Sequence, residues 1–491
     1  MTQTAVTSLV RRRKLALCAA ALLLGQPLAL RAAATDAPSD PEIVQILADI
    51  SPQRIAKRIE TLVGFHTRHT MSETASDTRG IGAARRWIER ELQACSKAAG
   101  GRLQVAMDEY VEPAGRRIPS PTTLVNVVAT LPGVSPQSKD RMLIVSGHYD
   151  SRASDVMNAT VAAPGANDDA SGVAAVMELA CVMAAHEFDA TLVFMAVAGE
   201  EQGLLGATHW ARTARSKGLR IEAMITNDII GSATGDAGQH DAQQVRLFAD
   251  GFDPLLRMLV RSQSNQPISN PDLDADNNAS EATRAQLQQL ALAGGGEDLP
   301  THQLGRHLKA AGERYVPGFS VNLIQRRDRY LRGGDHLPFL ERGYAAVRFT
   351  EPFEDFKHQH QDLRTEAGVV HGDLIEFVDM PYLANVTRIN AAGLATLALA
   401  PAAPQNVKLE AIALDNNSTL RWDANPEPAL KGYRVLWRDS GSPTWQHSRD
   451  VGLVTRTTIE GVSKDNVIFG VQAISGRGHA SLASYPLPLS R

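Results

Sequence analysis

What most constrains this chain is a series of acidic and histidine-bearing runs, each lying close behind an apolar stretch. Met142–Ser146 leads into Gly147-His148-Tyr149-Asp150, and Gly165-Ala166-Asn167-Asp168-Asp169 follows soon after. Ala190–Ala196 leads into Gly199-Glu200-Glu201, and Ala223–Ile225 into Asn227-Asp228. Helical patterns, Gly172–His186 and Leu204–Lys217, fill the intervals. Strands alternating with helices of this length predict an α/β fold, a mixed and largely parallel sheet flanked by helices. In such sheets the ligand site lies beyond the carboxyl ends of the strands. A carboxylate there is costly to bury unless it is paired or binds metal. The runs are therefore expected to converge on one site.

Around this centre, residues 41–99 carry apolar positions at helical spacing, with His66 and His69 in a polar loop that reads as solvent-facing. Leu103–Tyr110, Thr123–Leu131, Phe319–Ile324 and Gly343–Phe349 read as further strands, and Tyr382–Leu399 as a closing helix. Residues 265–315 are rich in Asn, Asp, Gln and Ala; they read as a surface excursion, with Ala282–Leu292 as a possible helix and His302 and His307 exposed. The catalytic part is thus residues 41–400, and the Ala/Pro-rich stretch 401–404 reads as a linker. Residues 405–491 show period-two alternation in Tyr433–Trp437 and Val467–Ala473, which predicts a small β-sandwich. With Trp422, these landmarks resemble a fibronectin type III module.

Hydrolysing an amide at neutral pH needs a strong nucleophile and help for the developing oxyanion. Two metal ions about 4 Å apart supply both. Such a site needs a carboxylate shared by both ions, further ligands for each, and a free base. Asp168 is the candidate for the shared position, with His148 and Asp228 completing one ion and Glu201 with a late histidine the other. Neighbouring side chains in an extended chain diverge, so one of Glu200 and Glu201 ligates while the other faces the substrate as base. Asp150, two residues from His148, is placed to orient the imidazole.

These motifs resemble the dizinc aminopeptidase family of secreted bacterial leucyl aminopeptidases, over roughly Ile43 to Ala400. The resemblance implies two zinc ions, Glu200 as general base and Glu201 as ligand, and a cis peptide after Asp168. The family's last ligand stands in a His-x-x-x-Asp run, matched at His358 through Asp362, with His360 as a rival. Asp335-His336 resembles a family pair close to the pocket. The implied function is a metallo-exopeptidase, most simply an aminopeptidase. It would act on peptides with a free N-terminus through a water activated between the metal ions. A glutaminyl cyclase or carboxypeptidase on the same fold, or a surface-binding protein with a relic site, remain alternatives.

Charge and termini narrow the setting. Residues 1–34 carry five basic residues and no acid, so the remainder stands at −9 against −4 for the whole chain. That balance gives no reason to expect a nucleic-acid partner. A basic cluster, Arg11–Lys14, then an apolar stretch broken at Pro27, then Ala32-Ala33-Ala34, predicts a removable signal peptide over residues 1–34. The expectation is a periplasmic or secreted protein with no stable membrane insertion after signal removal. Cys95 and Cys181 would then remain, and the apolar surroundings of Cys181 favour a buried thiol over a bridge.

Overall fold

The computed structural model describes residues 39–251, 289–290, 293–412 and 414–489. The expected signal segment lies outside them, as do residues 265–288 of the excursion and all of Ala282–Leu292 except 289–290. Among the described residues, no helix is long and apolar enough to cross a membrane.

Three helices come first, α1 (Pro41–Asp49), α2 (Pro52–Val63) and α3 (Gly80–Ala98). Asp40 and Ser51 cap the first two, accepting from the amides of Glu42 and Arg54, with proline in each first turn. Then follow β1 (Gln104–Glu112), β2 (Thr122–Leu131), β3 (Arg141–His148), α4 (Ala170–Met183), β4 (Thr191–Val197), α5 (Leu205–Ser216), β5 (Arg220–Asn227) and β6 (Gln244–Phe248). Next come α6 (Pro300–Tyr315), β7 (Ser320–Ile324), α7 (Leu337–Leu340), β8 (Ala346–Thr350), the hairpin β9 (Arg364–Glu366) and β10 (Val369–His371), and α8 (Met380–Ala398).

Eight strands form one mixed sheet in the order β1-β2-β4-β3-β5-β8-β6-β7. The central four, β4-β3-β5-β8, run parallel. Side chains alternate between its faces, as strand geometry requires. Leu143, Val145, Leu192 and Phe194 enter the core beneath α1–α4 and α8, whereas Ile144, Val193 and Met195 pack with Phe339 and the alanines of α5. Each fully buried aliphatic side chain contributes roughly 1.5–3 kcal/mol, and two-sided burial explains the uninterrupted apolar runs. The chain leaves β3 for β4 on one side and reaches β5 on the other. The carboxyl end of β3 is therefore a topological switch point.

Two expectations are corrected here. Cys95 on α3 and Cys181 on α4 form a disulfide, with their Cα atoms 5.0 Å apart. The apolar surroundings of Cys181 did not decide its state, because α3 packs beside α4 and brings the two cysteines together. From Pro300 onward the presumed excursion is helix α6, packed against α8. His302 is only 3% exposed, and His307 Nε2 lies 3.0 Å from Thr396 Oγ1. Burial pushes the pKa of both histidines down to about 4.

Residues 408–488 form two small sheets from β11 (Lys408–Leu409), β12 (Ser418–Arg421), β13 (Leu430–Asp439), β14 (His447–Gly452), β15 (Arg456–Ile459), β16 (Val467–Ser475) and β17 (Leu487–Pro488). Their orders are β15-β12-β11-β17 and β14-β13-β16, around a core that includes Trp422, Tyr433, Val435, Phe469 and Val471. The 401–404 stretch is not a free linker: Pro401 and Ala402 are buried, and the Ala402 amide donates to Glu427 Oε1 at 2.7 Å. The sandwich also docks through charge. Buried Asp298 accepts from Arg306 Nη1 at 2.9 Å and from Arg438 Nη2 of the sandwich at 2.7 Å. Trp445 Nε1 donates to Gln303 Oε1 at 3.2 Å.

A second clasp joins the two ends of the described chain. Asp40, the α1 cap, lies 2.8 Å from His479 Nε2 and accepts from Arg477 Nε at 2.9 Å. Burial alone would raise the Asp40 pKa, but Arg477 and His479 bring it down to about 2. A carboxylate depressed from an unfolded value of about 3.9 stabilises the fold above that value, and its contribution is lost as pH falls through about 2. Asp40→Asn is therefore expected to melt roughly 2 °C below the parent protein at pH 7. The gap should close by pH 2. Melting curves across that range check it.

Candidate metal centre

The strand ends and one helix start assemble the site. His148 closes β3, Glu200 and Glu201 follow β4, and Asp228 follows β5. Asp168 and Asp169 sit at the start of α4, joined by a cis peptide bond, as the resemblance implies. The helix reaches β3 because Gly147 and Gly172 have no side chains. A Cβ on Gly147 would come within 2.6 Å of the Gly172 backbone, and one on Gly172 within 2.3 Å of Asn227 O. Asp169 caps α4 by accepting from Gly172 N, and its other oxygen accepts from His148 N, both at 3.0 Å.

Asp168 lies between two histidines. Its Oδ1 is 3.2 Å from His148 Nε2 and its Oδ2 is 2.8 Å from His360 Nε2. Glu201 Oε1 is 2.9 Å from His360 Nε2, and Asp228 Oδ1 is 3.9 Å from His148 Nε2. Two groups of metal-ligating atoms result, each spanning no more than 4.8 Å. One is His148, Glu200 and Asp228; the other is Asp168, Glu201 and His360. The structure thus brings together His148, Asp168, Glu200, Glu201 and Asp228. Asp150 lies beneath them. Its carbonyl is 3.2 Å from His148 Nδ1 and its carboxylate 3.5 Å away. That carboxylate accepts from the Glu201 amide at 3.1 Å and from Thr70 Oγ1 at 2.9 Å, so it also fixes the turn carrying both glutamates.

His358 is not in either group, and the expectation for the last ligand moves to His360. The 351–363 segment is a loop rather than a strand, and His360 takes a left-handed φ of 56°. That turn sends the two histidines to different places. His358 stacks on Phe377 with ring centres 3.6 Å apart and faces Asp355 at 3.4 Å. His66 and His69 lie outside both groups. Nε2 of each instead faces a loop carbonyl, Thr160 O at 3.2 Å and Val156 O at 2.9 Å. His69 is buried rather than solvent-facing.

The electrostatics call for cations. Burial opposes charge on His360, yet Glu201 and Asp168 push its pKa up to about 10. His148 is likewise raised well above its ordinary value by Asp150 and Asp168, against desolvation. Burial raises Glu200 well above the carboxylate range, and Asp228, Glu201 and Asp335 add to the effect. Asp335 is buried with its Oδ1 unpartnered; desolvation and the charges of Asp150 and Asp228 push it up to about 7. Glu201 Oε1 is buried without a hydrogen bond and faces only His360 Nε2. Two imidazoles with converging carboxylates, one oxygen left without a donor, are a donor set that suits zinc.

Some supporting residues carry no signal in the sequence. Asp373 accepts from the amides of Asn167 and Asp168, the latter at 2.7 Å, and Gln359 Nε2 donates to Asp168 Oδ2 at 3.1 Å. Arg68, fully buried, donates to the carbonyls of Tyr149, Leu62, Pro164 and Gly165 and ties down the loop between His148 and Asp168. Nothing in the residue type announces the role.

Comparison with known proteins follows the same lines. The family model described as Peptidase family M28 matches residues 126–303. A probable zinc metalloprotease of Pyrenophora teres f. teres is 43% identical over 451 residues, covering 92% of this chain and 88% of its own length. One from Pyricularia oryzae is 44% identical over 454 residues, covering 91% and 85%. Among solved structures, the LapA aminopeptidase of Legionella pneumophila aligns over 74% of this chain and 76% of its own, at 17% identity and a TM-score of 0.46.

Proposed function

This chain belongs to peptidase family M28 and is a zinc metallopeptidase; from that premise we propose that it is an exported dizinc aminopeptidase. One observation carries the dizinc reading: the two oxygens of Asp168 face different histidines, at 3.2 and 2.8 Å. A carboxylate so placed suits a shared ligand between His148 with Asp228 and Glu201 with His360. Zinc held by these residues would supply an acidified water and a Lewis acid for the scissile carbonyl. Glu200 takes the proton of the attacking water and returns it to the leaving amine. Asp150 holds the backbone of that glutamate's neighbour and fixes the His148 ring.

The aminopeptidase reading is supported by carboxylates beyond the ligand set. Asp335 lies close enough to Glu200 to raise its pKa, and the buried, unpartnered Asp335 Oδ1 could accept from a substrate's free ammonium group. Export is supported by the pattern of residues 1–34 and by the Cys95–Cys181 bridge, which persists in oxidising compartments. The C-terminal sandwich we take to be fibronectin type III-like.

Two measurements test this together. Purified protein should carry two zinc ions per chain and should hydrolyse aminoacyl anilides. N-acetylation of the same substrates should abolish turnover. One zinc per chain with release of cyclised glutaminyl products would replace the reading by a cyclase, and equal cleavage of acetylated peptides would remove the aminopeptidase assignment.

A further inference from the structure

Arg348 stands on β8, register-paired with Thr226 of β5, two residues before Asp228. Its guanidinium is fully buried in the sheet. Nη2 lies 2.9 Å from Asp228 Oδ1, the same oxygen that faces His148 Nε2 at 3.9 Å. Nη1 lies 3.2 Å from Asp328 Oδ2 and donates to Gly333 O at 2.7 Å. The opposite position is built differently. Asp168, Glu201 and His360 face one another there, and Arg152 comes only to 4.0 Å from Glu201 Oε2.

We propose that Arg348 is a positioning residue that makes the two metal positions unequal. By sharing the charge of the Asp228 oxygen that faces His148, it causes the His148/Asp228 position to bind its ion more weakly and to fill second. The inference rests on the dizinc reading. A guanidinium on a ligand carboxylate shares that carboxylate's charge, and water does not screen its own positive charge at a buried site. Its planar fork spans Asp228 and Asp328 together, which fixes the direction of the ligand as well as its charge. A lysine at this place would offer a point charge without the fork.

The test is a zinc titration of metal-free, full-length protein against a chromophoric chelator. The parent protein should show two steps, with dissociation constants separated by about 10-fold or more. Arg348→Met should leave the tighter step in place and, by removing a buried positive charge, tighten the weaker one by about 10-fold, and Arg348→Lys should restore part of the separation. Asp328→Asn leaves the Arg348 charge less balanced, so it should weaken the second step further; it also serves if melting of the metal-free protein shows Arg348→Met unfolded. Two equal steps in the parent overturn the inference. So does a second step that loosens or stays put in folded Arg348→Met, or stays put in Asp328→Asn when that variant alone is available. A parent protein that binds one zinc or none removes the dizinc reading itself, which separates the two failures.

Discussion

Glu200→Gln is expected to keep two zinc ions per chain and to lose about 10³-fold in kcat. Glu200 lies within ligand distance of His148 and Asp228, so geometry alone leaves it free to be a ligand or a base. Its neighbour favours the base. Glu201 presents a buried, undonated oxygen to His360 and is placed for the ligand role in the other group. Burial and the surrounding carboxylates hold Glu200 well above the ordinary carboxylate range, which suits a group that must pick up a proton and give it back. Glutamine keeps the shape and one oxygen but cannot accept the proton. Metal analysis of the variant beside its kcat is the decisive pair. A variant that loses a zinc would make Glu200 a ligand, and one with full turnover would remove it from the reaction.

His360→Ala and His358→Ala should differ sharply although they change the same residue type two positions apart. His360→Ala is expected to lose one of the two zinc ions and about 10²-fold or more in kcat. His358→Ala should keep both ions and near-parental turnover, giving up about 1 kcal/mol of stability with its stacking on Phe377. Measuring zinc content, kcat and melting temperature on both proteins checks this. Metal loss in His358→Ala with none in His360→Ala would return the ligand role to the position the sequence favoured.

That pair also shows what could be read without coordinates. β3, β4 and β5 were legible because both faces of each are buried, so the apolar runs are unbroken and the polar residues behind them stand out. Four ligand candidates and the base fall directly behind those runs or at the start of the next helix. The fifth lies on a loop, where no periodicity fixes direction, and a left-handed φ at His360 reverses what residue spacing suggests. Helix α6 was missed because much of its buried surface is polar: Gln303 and Arg306 bond to Asp298, and His302 faces Asp250, where an apolar stripe would have been legible. The disulfide was missed because nothing local says that α3 and α4 lie side by side. Asp373 was invisible because it acts only by accepting backbone amides.

The seam at Asp298 governs what happens to the C-terminal eighty-odd residues. Its carboxylate has no solvent exposure and is shared between Arg306 of α6 and Arg438 of the sandwich. Stripping away one member of such a pair costs about 3–5 kcal/mol, a large share of what holds most proteins folded. Proteolytic trimming after Pro404 would also uncover the side of α6 that lies under Trp445. The sandwich is therefore a keel of the peptidase rather than a detachable tether, and shortened forms that end at residue 404 begin life with an exposed and charged wound.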